Sequence, residues 1–291
     1  MLQSALSTRS PAVAGMFYPG DRVELARSIA QMLGTAASVA PERPVPKAII
    51  APHAGYIYSG PIAASVYALL APARQTIRRV VLLGPTHRVP VRGLALPGVA
   101  AFATPLGVVA IDPEAVAALG ALPQVGTSAQ AHAPEHSIEV HVPFLQTVLE
   151  RFTLVPLAVG RADAPAVAEV IDTLWGGPET LIVVSSDLSH YLPYADAQTL
   201  DRATAQAILS LTADISHEQA CGATPVTGLT YTARKRGLKA ELIDLRNSGD
   251  TAGDKQRVVG YGAFAFYEQP VVRSLSDFGP TNSFEDEQDA R

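Results

Sequence analysis

A single cysteine, Cys221, stands in this chain, which excludes an internal disulfide. Positive charge is also short: 22 Lys and Arg against 27 Asp and Glu leave a net charge of −5, with no electrostatic footprint for nucleic acid. No apolar run is long enough for a membrane span, and none near the start forms a signal-peptide core. The expectation is a soluble cytoplasmic protein with no membrane partner. Familiar catalytic signatures are missing as well. There is no Gly-x-Ser-x-Gly elbow, no Walker A or Gly-x-Gly-x-x-Gly loop, and no His-Glu-x-x-His zinc helix.

What is present suits a large α/β core. Of 291 residues, 48% are hydrophobic and 17% charged, so disorder is expected only at the ends, 1–10 and 271–291. Residues 11–270 read as a single domain. Short β-branched runs closed by Gly and Pro predict buried strands at 47–52, 78–84, 152–159 and 180–185. Late strands are expected at 240–245 and 258–267. Asp21 predicts a helix cap, with a helix to about Leu33. Pro61 suits a first helical position, ahead of an apolar helix over 62–70. Asp112-Pro113-Glu114 starts a short helix, and further helices are read at 164–174, 201–211 and 225–236. The runs at 93–97 and 107–111 suggest a peripheral hairpin, and 126–133 a loop of small residues. From Glu135 a helix is expected to about Arg151, with Glu139 and His141 as polar residues at its start.

The chemistry gathers where strands end. Ala48-Ile49-Ile50-Ala51-Pro52 delivers His53, followed by Tyr56. Val80-Val81-Leu82-Leu83-Gly84-Pro85 delivers His87. Strand, helix and strand in this length form a βαβ unit, whose strands run parallel with their carboxyl ends on one edge. That edge is where open α/β sheets bind ligands. A third run, Leu181 to Ser186, ends in Asp187 with His190 three residues on. An isolated loop histidine is ordinarily a hydrogen-bonding residue; two on one edge suggest a site. Two imidazoles plus an anionic side chain form a triad suited to non-haem Fe(II). Asp187, a glutamate or Cys221 fits the third place; a thiolate would shift preference towards Cu(I) or Zn(II). A lone cysteine is otherwise a small buried hydrophobe. Glu135 and His136 precede the expected helix and can reach the same cleft.

The segments Ala-Pro-His-Ala-Gly-Tyr-x-Tyr-Ser-Gly, Leu-Gly-Pro-Thr-His, Glu-His-Ser-Ile-Glu-x-His-x-Pro, Val-Ser-Ser-Asp-Leu-Ser-His and Cys-Gly-x-x-Pro resemble, in order, the motifs of the Memo family. Its bacterial and archaeal members are known as protein B of the AmmeMemoRadiSam system. The resemblance runs from about Ser10 to Tyr267. It implies the LigB-type fold of class III extradiol dioxygenases, a three-layer α/β/α sandwich with a central, largely parallel mixed sheet. It further implies metal ligation by His53, His87 and Cys221, with iron or copper as the metal and zinc as a further candidate. His190 then matches the acid–base histidine, with Asp187 as its orienter, and Tyr56, Glu135 and His136 form pocket walls. Cysteine in place of the dioxygenase carboxylate argues against ring cleavage and for another redox or oxygen-dependent role. The implied partners are Ammecr-type and radical-SAM proteins of the same system, and a small-molecule or peptide substrate. The alternative is a non-enzymatic scaffold that binds a peptide or protein in the same cleft.

Overall fold

The computed structural model describes residues 7–39, 43–212 and 214–269. The expected tail at 271–291 and the first six residues lie outside them. The chain begins with β1 (Thr8–Arg9), α1 (Arg22–Val39), β2 (Ala48–Ala51), α2 (Tyr56–Tyr67), β3 (Arg79–Pro85), β4 (Leu94–Leu96), β5 (Ala101–Thr104) and β6 (Gly107–Ala110). It continues with α3 (Pro113–Leu119), β7 (Val125–Thr127), α4 (Ala129–His132), α5 (Val142–Val148), β8 (Thr153–Val159), α6 (Ala164–Thr173) and β9 (Thr180–Ser185). Last come β10 (His190–Leu192), α7 (Tyr194–Leu209), α8 (Ala223–Arg236), β11 (Lys239–Asn247) and β12 (Val258–Tyr267).

The main sheet runs β10-β12-β2-β9-β3-β8-β4-β7, with β11 paired to β12. Its centre, β2-β9-β3-β8, is parallel, and its flanking pairs β12-β2 and β8-β4 are antiparallel. Alternation along the strands explains the layers, because successive side chains leave opposite faces. Ile49, Ala51, Val80, Leu82 and Val183 pack with Leu25 and Ile29 of α1, Ile62 and Val66 of α2, and Phe144 of α5. Ala48, Ile50, Val81, Leu83 and Val184 pack with Val167 and Ile171 of α6, Ile208 of α7 and Leu229 of α8. Both faces are buried, which is why the central strands read as unbroken apolar runs. The result is a three-layer α/β/α sandwich around a largely parallel mixed sheet.

β2 and β3 do point the same way, but β9 lies between them. The three strand ends bearing His53, Asp187 and His87 are therefore consecutive along one edge. No helix among the described residues is long and apolar enough to cross a membrane.

Several expectations need correction. α2 starts at Tyr56, so Pro61 lies inside it. The Tyr56 hydroxyl donates to the Val140 carbonyl and its ring meets Tyr18 and Phe144, contacts that outweigh the usual cost of an internal proline. Segments 93–97 and 107–111 are not partners: β4 joins the main sheet, while β6 pairs with β5 in a small sheet with β1. Residues 126–133 are not a plain loop, because β7 extends the main sheet and Ser128 caps α4. α7 begins at Tyr194, so Asp201 is an interior, buried residue. Arg9, placed by sequence in a disordered terminus, is 7% exposed and pinned by an ion pair to Glu139.

Candidate metal centre

The 135–141 segment does not open a helix. It is an irregular stretch with a short 3-10 turn at Glu139–His141, and α5 begins only at Val142. Its polar side chains face inwards: Glu135, Glu139 and His141 are each 1% exposed. A helix start on the surface would have left these groups to water. Instead each has protein partners, as buried polar groups require.

Glu135 is the hub. Its Oε2 accepts from the His87 backbone N–H at 2.6 Å, and its Oε1 faces His87 Nδ1 at 2.9 Å. Oε1 also accepts the backbone N–H groups of His136 and Ser137, each at 3.0 Å. Burial pushes the Glu135 carboxyl up, but the hydrogen bonds from the His87 ring and backbone outweigh it and hold it at about 2. An ionised Glu135 takes the His87 Nδ1 proton in hydrogen bonding and leaves Nε2 free. The tip of β3 reaches this segment because residue 84 is glycine. A Cβ there would lie 2.6 Å from Ser137 Oγ and 2.9 Å from Ile138 Cγ1.

His53 is 2% exposed at the tip of β2. Its backbone N–H donates to Asp187 Oδ1 at 2.7 Å, and its Nδ1 lies 2.6 Å from Ser185 Oγ. Burial, then the neighbouring His87 and His136, keep its ring well below the usual histidine range. His87 and His136 stack with centroids 4.7 Å apart, and His53 meets both edge-on at 5.1 and 5.4 Å. His136 Nδ1 sits 3.2 Å from Glu135 Oε1. Burial, then the charge of His87, lowers its ring to about 4. Ligand atoms of His53, His87 and His136 all lie within 4.8 Å of one another, a group that could hold a metal ion.

Cys221 also reaches His53. Its Sγ is 3.3 Å from His53 Nε2. Burial pushes the thiol far above its ordinary value, and Asp187 adds to that. Gly222 allows the approach: a Cβ there would lie 2.5 Å from the Ser185 carbonyl and 2.6 Å from Ser186 Cβ, while its own N–H donates to Ser186 Oγ. Gly222→Ala is expected to cost about 1–3 kcal/mol through overpacking. Urea denaturation measures this, and a fully stable variant would mean the start of α8 moves freely.

The other sequence candidates divide. Asp187 is 4% exposed, and burial lifts it to about 7 against the His53 N–H bond. It lies 4.0 Å from His53 Nε2 and is not the orienter of His190. That part falls to the Leu188 carbonyl, 2.8 Å from His190 Nδ1, because the backbone after β9 folds back on itself. Tyr56 is not a pocket wall, since its hydroxyl is turned inwards to Val140. Tyr58 lines the cleft instead, along with Phe17. Glu135 lies behind His87 and His136, while His136 itself faces the open space. The cleft encloses about 790 Å³, with His53, His87, His136, Asp187 and His190 on its wall. Glu139 and His141, expected as polar residues at a helix start, are instead buried partners of Arg9 and Ser185. The dense polar composition of 135–141 was the available signal.

A family model described as "Memo-like protein" matches residues 9–265. A MEMO1 family protein of Aquifex aeolicus (strain VF5) is 35% identical over 273 residues, spanning 90% of this chain and 100% of that protein. One from Archaeoglobus fulgidus is 36% identical over 275 residues, spanning 89% of this chain and 99% of the relative. With a matching model over nearly the whole described chain and relatives aligned end to end, the protein belongs to the Memo family.

Proposed function

We propose that the protein binds a transition-metal ion through His53 and His87 and uses it in redox or oxygen-dependent chemistry. The observation that carries this reading is the donor geometry. Each ring has its Nδ1 engaged, by Ser185 for His53 and by Glu135 for His87; with those nitrogens as donors, both Nε2 atoms present lone pairs to a metal, the one on His53 beside Cys221 Sγ. A ligating histidine usually has its other ring nitrogen held by a carboxylate or another acceptor, as His87 has Glu135. His136 is the third donor that packing offers, and Cys221 the third donor that the family resemblance offers. Imidazole suits iron, copper and zinc, and a thiolate would favour the softer ions. When bound, the metal would supply redox or Lewis-acid chemistry at the cleft wall.

The chain's own residues then do the rest. His190 donates Nδ1–H to Leu188, so its neutral ring presents Nε2 as a base towards the cleft. Asp187, whose carboxyl burial pushes up, accepts the His53 backbone N–H and holds the tip of β2 in place. The natural substrate is a small molecule or a peptide-borne group, handled together with Ammecr-type and radical-SAM proteins in the AmmeMemoRadiSam system.

Metal analysis of protein purified without added metal tests the proposal. Iron, copper or zinc near one equivalent is expected, and His53→Ala should lose it. No metal and no binding on titration would sink the idea. Cobalt(II) titration separates the two ligand sets. A sulfur-to-metal charge-transfer band that disappears in Cys221→Ser selects the cysteine; its absence, with binding lost in His136→Ala, selects the third histidine.

A scaffold reading has one observation in its favour. Tyr191 is 62% exposed at the cleft lip with the Arg257 guanidinium 5.1 Å from its ring centroid, a surface on which a peptide could lie. It predicts that metal-free His87→Ala retains partner binding in a pull-down.

A further inference from the structure

Ser185 closes β9 on the sheet face shared by Leu181 and Val183, the face covered by α2 and α5. Its hydroxyl meets three groups there: His53 Nδ1 at 2.6 Å, His141 Nε2 at 2.9 Å and the Ser137 carbonyl at 2.6 Å. A serine hydroxyl has one proton and two lone pairs. The carbonyl can only accept. Aiming the Ser185 proton at Ser137 leaves its lone pairs to accept one N–H from each imidazole. His141 then carries its proton on Nε2, and its Nδ1 accepts from the Tyr67 hydroxyl at 2.9 Å. Ser185, the Ser137 carbonyl, His141 and the Tyr67 hydroxyl each then have a partner of the right kind.

The alternatives are worse. Turning the Ser185 proton to His53 would set two oxygens lone pair to lone pair at 2.6 Å, with Ser137 and Ser185 both 0% exposed. Turning it to His141 would strand the same carbonyl contact, and His53 would still have to be the donor. Only the arrangement aimed at Ser137 avoids this cost, and it makes His53 the Nδ1–H donor.

We infer that Ser185 is a positioning residue that holds His53 as its Nδ1–H tautomer, with His141 and Tyr67 keeping the hydroxyl aimed, so that the Nε2 lone pair is free to bind. The tautomer stands on the hydrogen bonds alone; its use in ligation rests on the metal reading above. His141, buried and remote from the cleft lining, thereby acquires a role: it occupies the second lone pair of Ser185 and prevents the hydroxyl from rotating. Tyr67, stacked on Phe144 with centroids 5.1 Å apart, is the fixed end of the chain.

Long-range proton–nitrogen NMR of metal-free, nitrogen-15-labelled protein at neutral pH reads the tautomer directly, with His53 assigned by its loss in His53→Gln. The expected wild-type spectrum has a protonated Nδ1 and a lone-pair Nε2 at His53. The opposite assignment overturns the inference. Ser185→Ala should move His53 towards Nε2–H and weaken cobalt(II) binding about 10–100-fold; an unchanged His53 tautomer overturns it. Should Ser185→Ala fail to fold, the wild-type spectrum and Tyr67→Phe still decide. Tyr67→Phe should disturb the His141 signals and lower the Nδ1–H population at His53, and a His53 wholly unchanged in that variant overturns the part given to His141 and Tyr67. A wild type with the expected tautomer but no affinity for cobalt(II) overturns the metal reading and supports the tautomer assignment.

Discussion

Replacing Glu139 by alanine is expected to cost about 3–5 kcal/mol of folding stability, the range for removing one partner of a buried ion pair. The Glu139 carboxylate binds Arg9 Nη1 at 2.7 Å, the backbone N–H groups of Ala12 and Val13, and the Tyr18 hydroxyl at 2.6 Å. Side-chain exposure is 5% for Arg9 and 1% for Glu139, so deletion leaves a guanidinium charge stranded in the interior. Arg9 also donates to the carbonyls of His132 and Glu135, which ties the first strand to the metal-centre loop. The effect therefore reaches the cleft, because the same N-terminal segment carries Phe17 against His136, with ring centroids 4.7 Å apart. Urea denaturation measures the loss. Replacing both partners by methionine should recover only part of it, since no charge is stranded but the Ala12, Val13 and Tyr18 donors stay unpaired. A loss under about 1 kcal/mol in Glu139→Ala would show that water reaches Arg9 and that the clamp is not closed.

Glu135→Gln is expected to give the second large effect, on stability and on metal affinity together. Glutamine is nearly isosteric, but it carries only one acceptor oxygen. Glu135 receives N–H groups at both oxygens, from the His87 backbone at one and from the His87 ring, His136 and Ser137 at the other. Whichever way the amide is turned, its NH₂ faces a donor. The expected loss is about 2–4 kcal/mol, from hydrogen bonds to a charged group and the donors left unpaired. Metal affinity should fall about 10–100-fold, as for other groups that orient a ligating histidine. The pH dependence follows from the sign of the shift. Glu135 is depressed from its ordinary 4.5 to about 2, so its contribution is full above 4.5 and is lost as the pH falls towards 2. A shift of that size corresponds to about 3 kcal/mol. Acid denaturation of wild type should steepen in that window, and Glu135→Gln should flatten it. Identical acid profiles would remove Glu135 from its place as an ionised hub.

The fold was largely legible in the sequence because the central strands obey a simple rule. Ala48–Ala51, Arg79–Pro85, Thr153–Val159 and Thr180–Ser185 are buried on both faces, so they appear as unbroken apolar runs, and all but the third have His or Asp just beyond. Elements at the periphery were harder. β4 and β7 are three residues each and owe their existence to neighbouring strands rather than to their own pattern. β5 is invisible without its partners β1 and β6. Pro61 misled for a related reason: a local cost was outweighed by the tertiary contacts of Tyr56.

The site was half legible. His53, His87, Asp187 and His190 follow apolar runs, and topology alone brings such tips to one edge. Glu139 and His141 misled because polar residues near an expected helix start ordinarily face water. Here both are buried, and partners for them come from more than 70 residues away: Arg9 and Tyr18 for one, Tyr67 for the other. No local pattern records such pairings.

The sequence by itself determined the family, the α/β class, the parallel centre of the sheet and the edge at which chemistry gathers. Those features rest on short-range patterning and on motifs contiguous in the chain. Only the tertiary structure decided that β9 lies between the two histidine strands, and that His136 completes a cluster with His53 and His87. It alone brought Cys221 up to His53, and it alone made Glu135 and Ser185 the acceptors that orient the two imidazoles. These are matters of distance and of proton direction between distant segments. Burial forces each polar group to find a partner, and only the folded chain determines which partner is within reach.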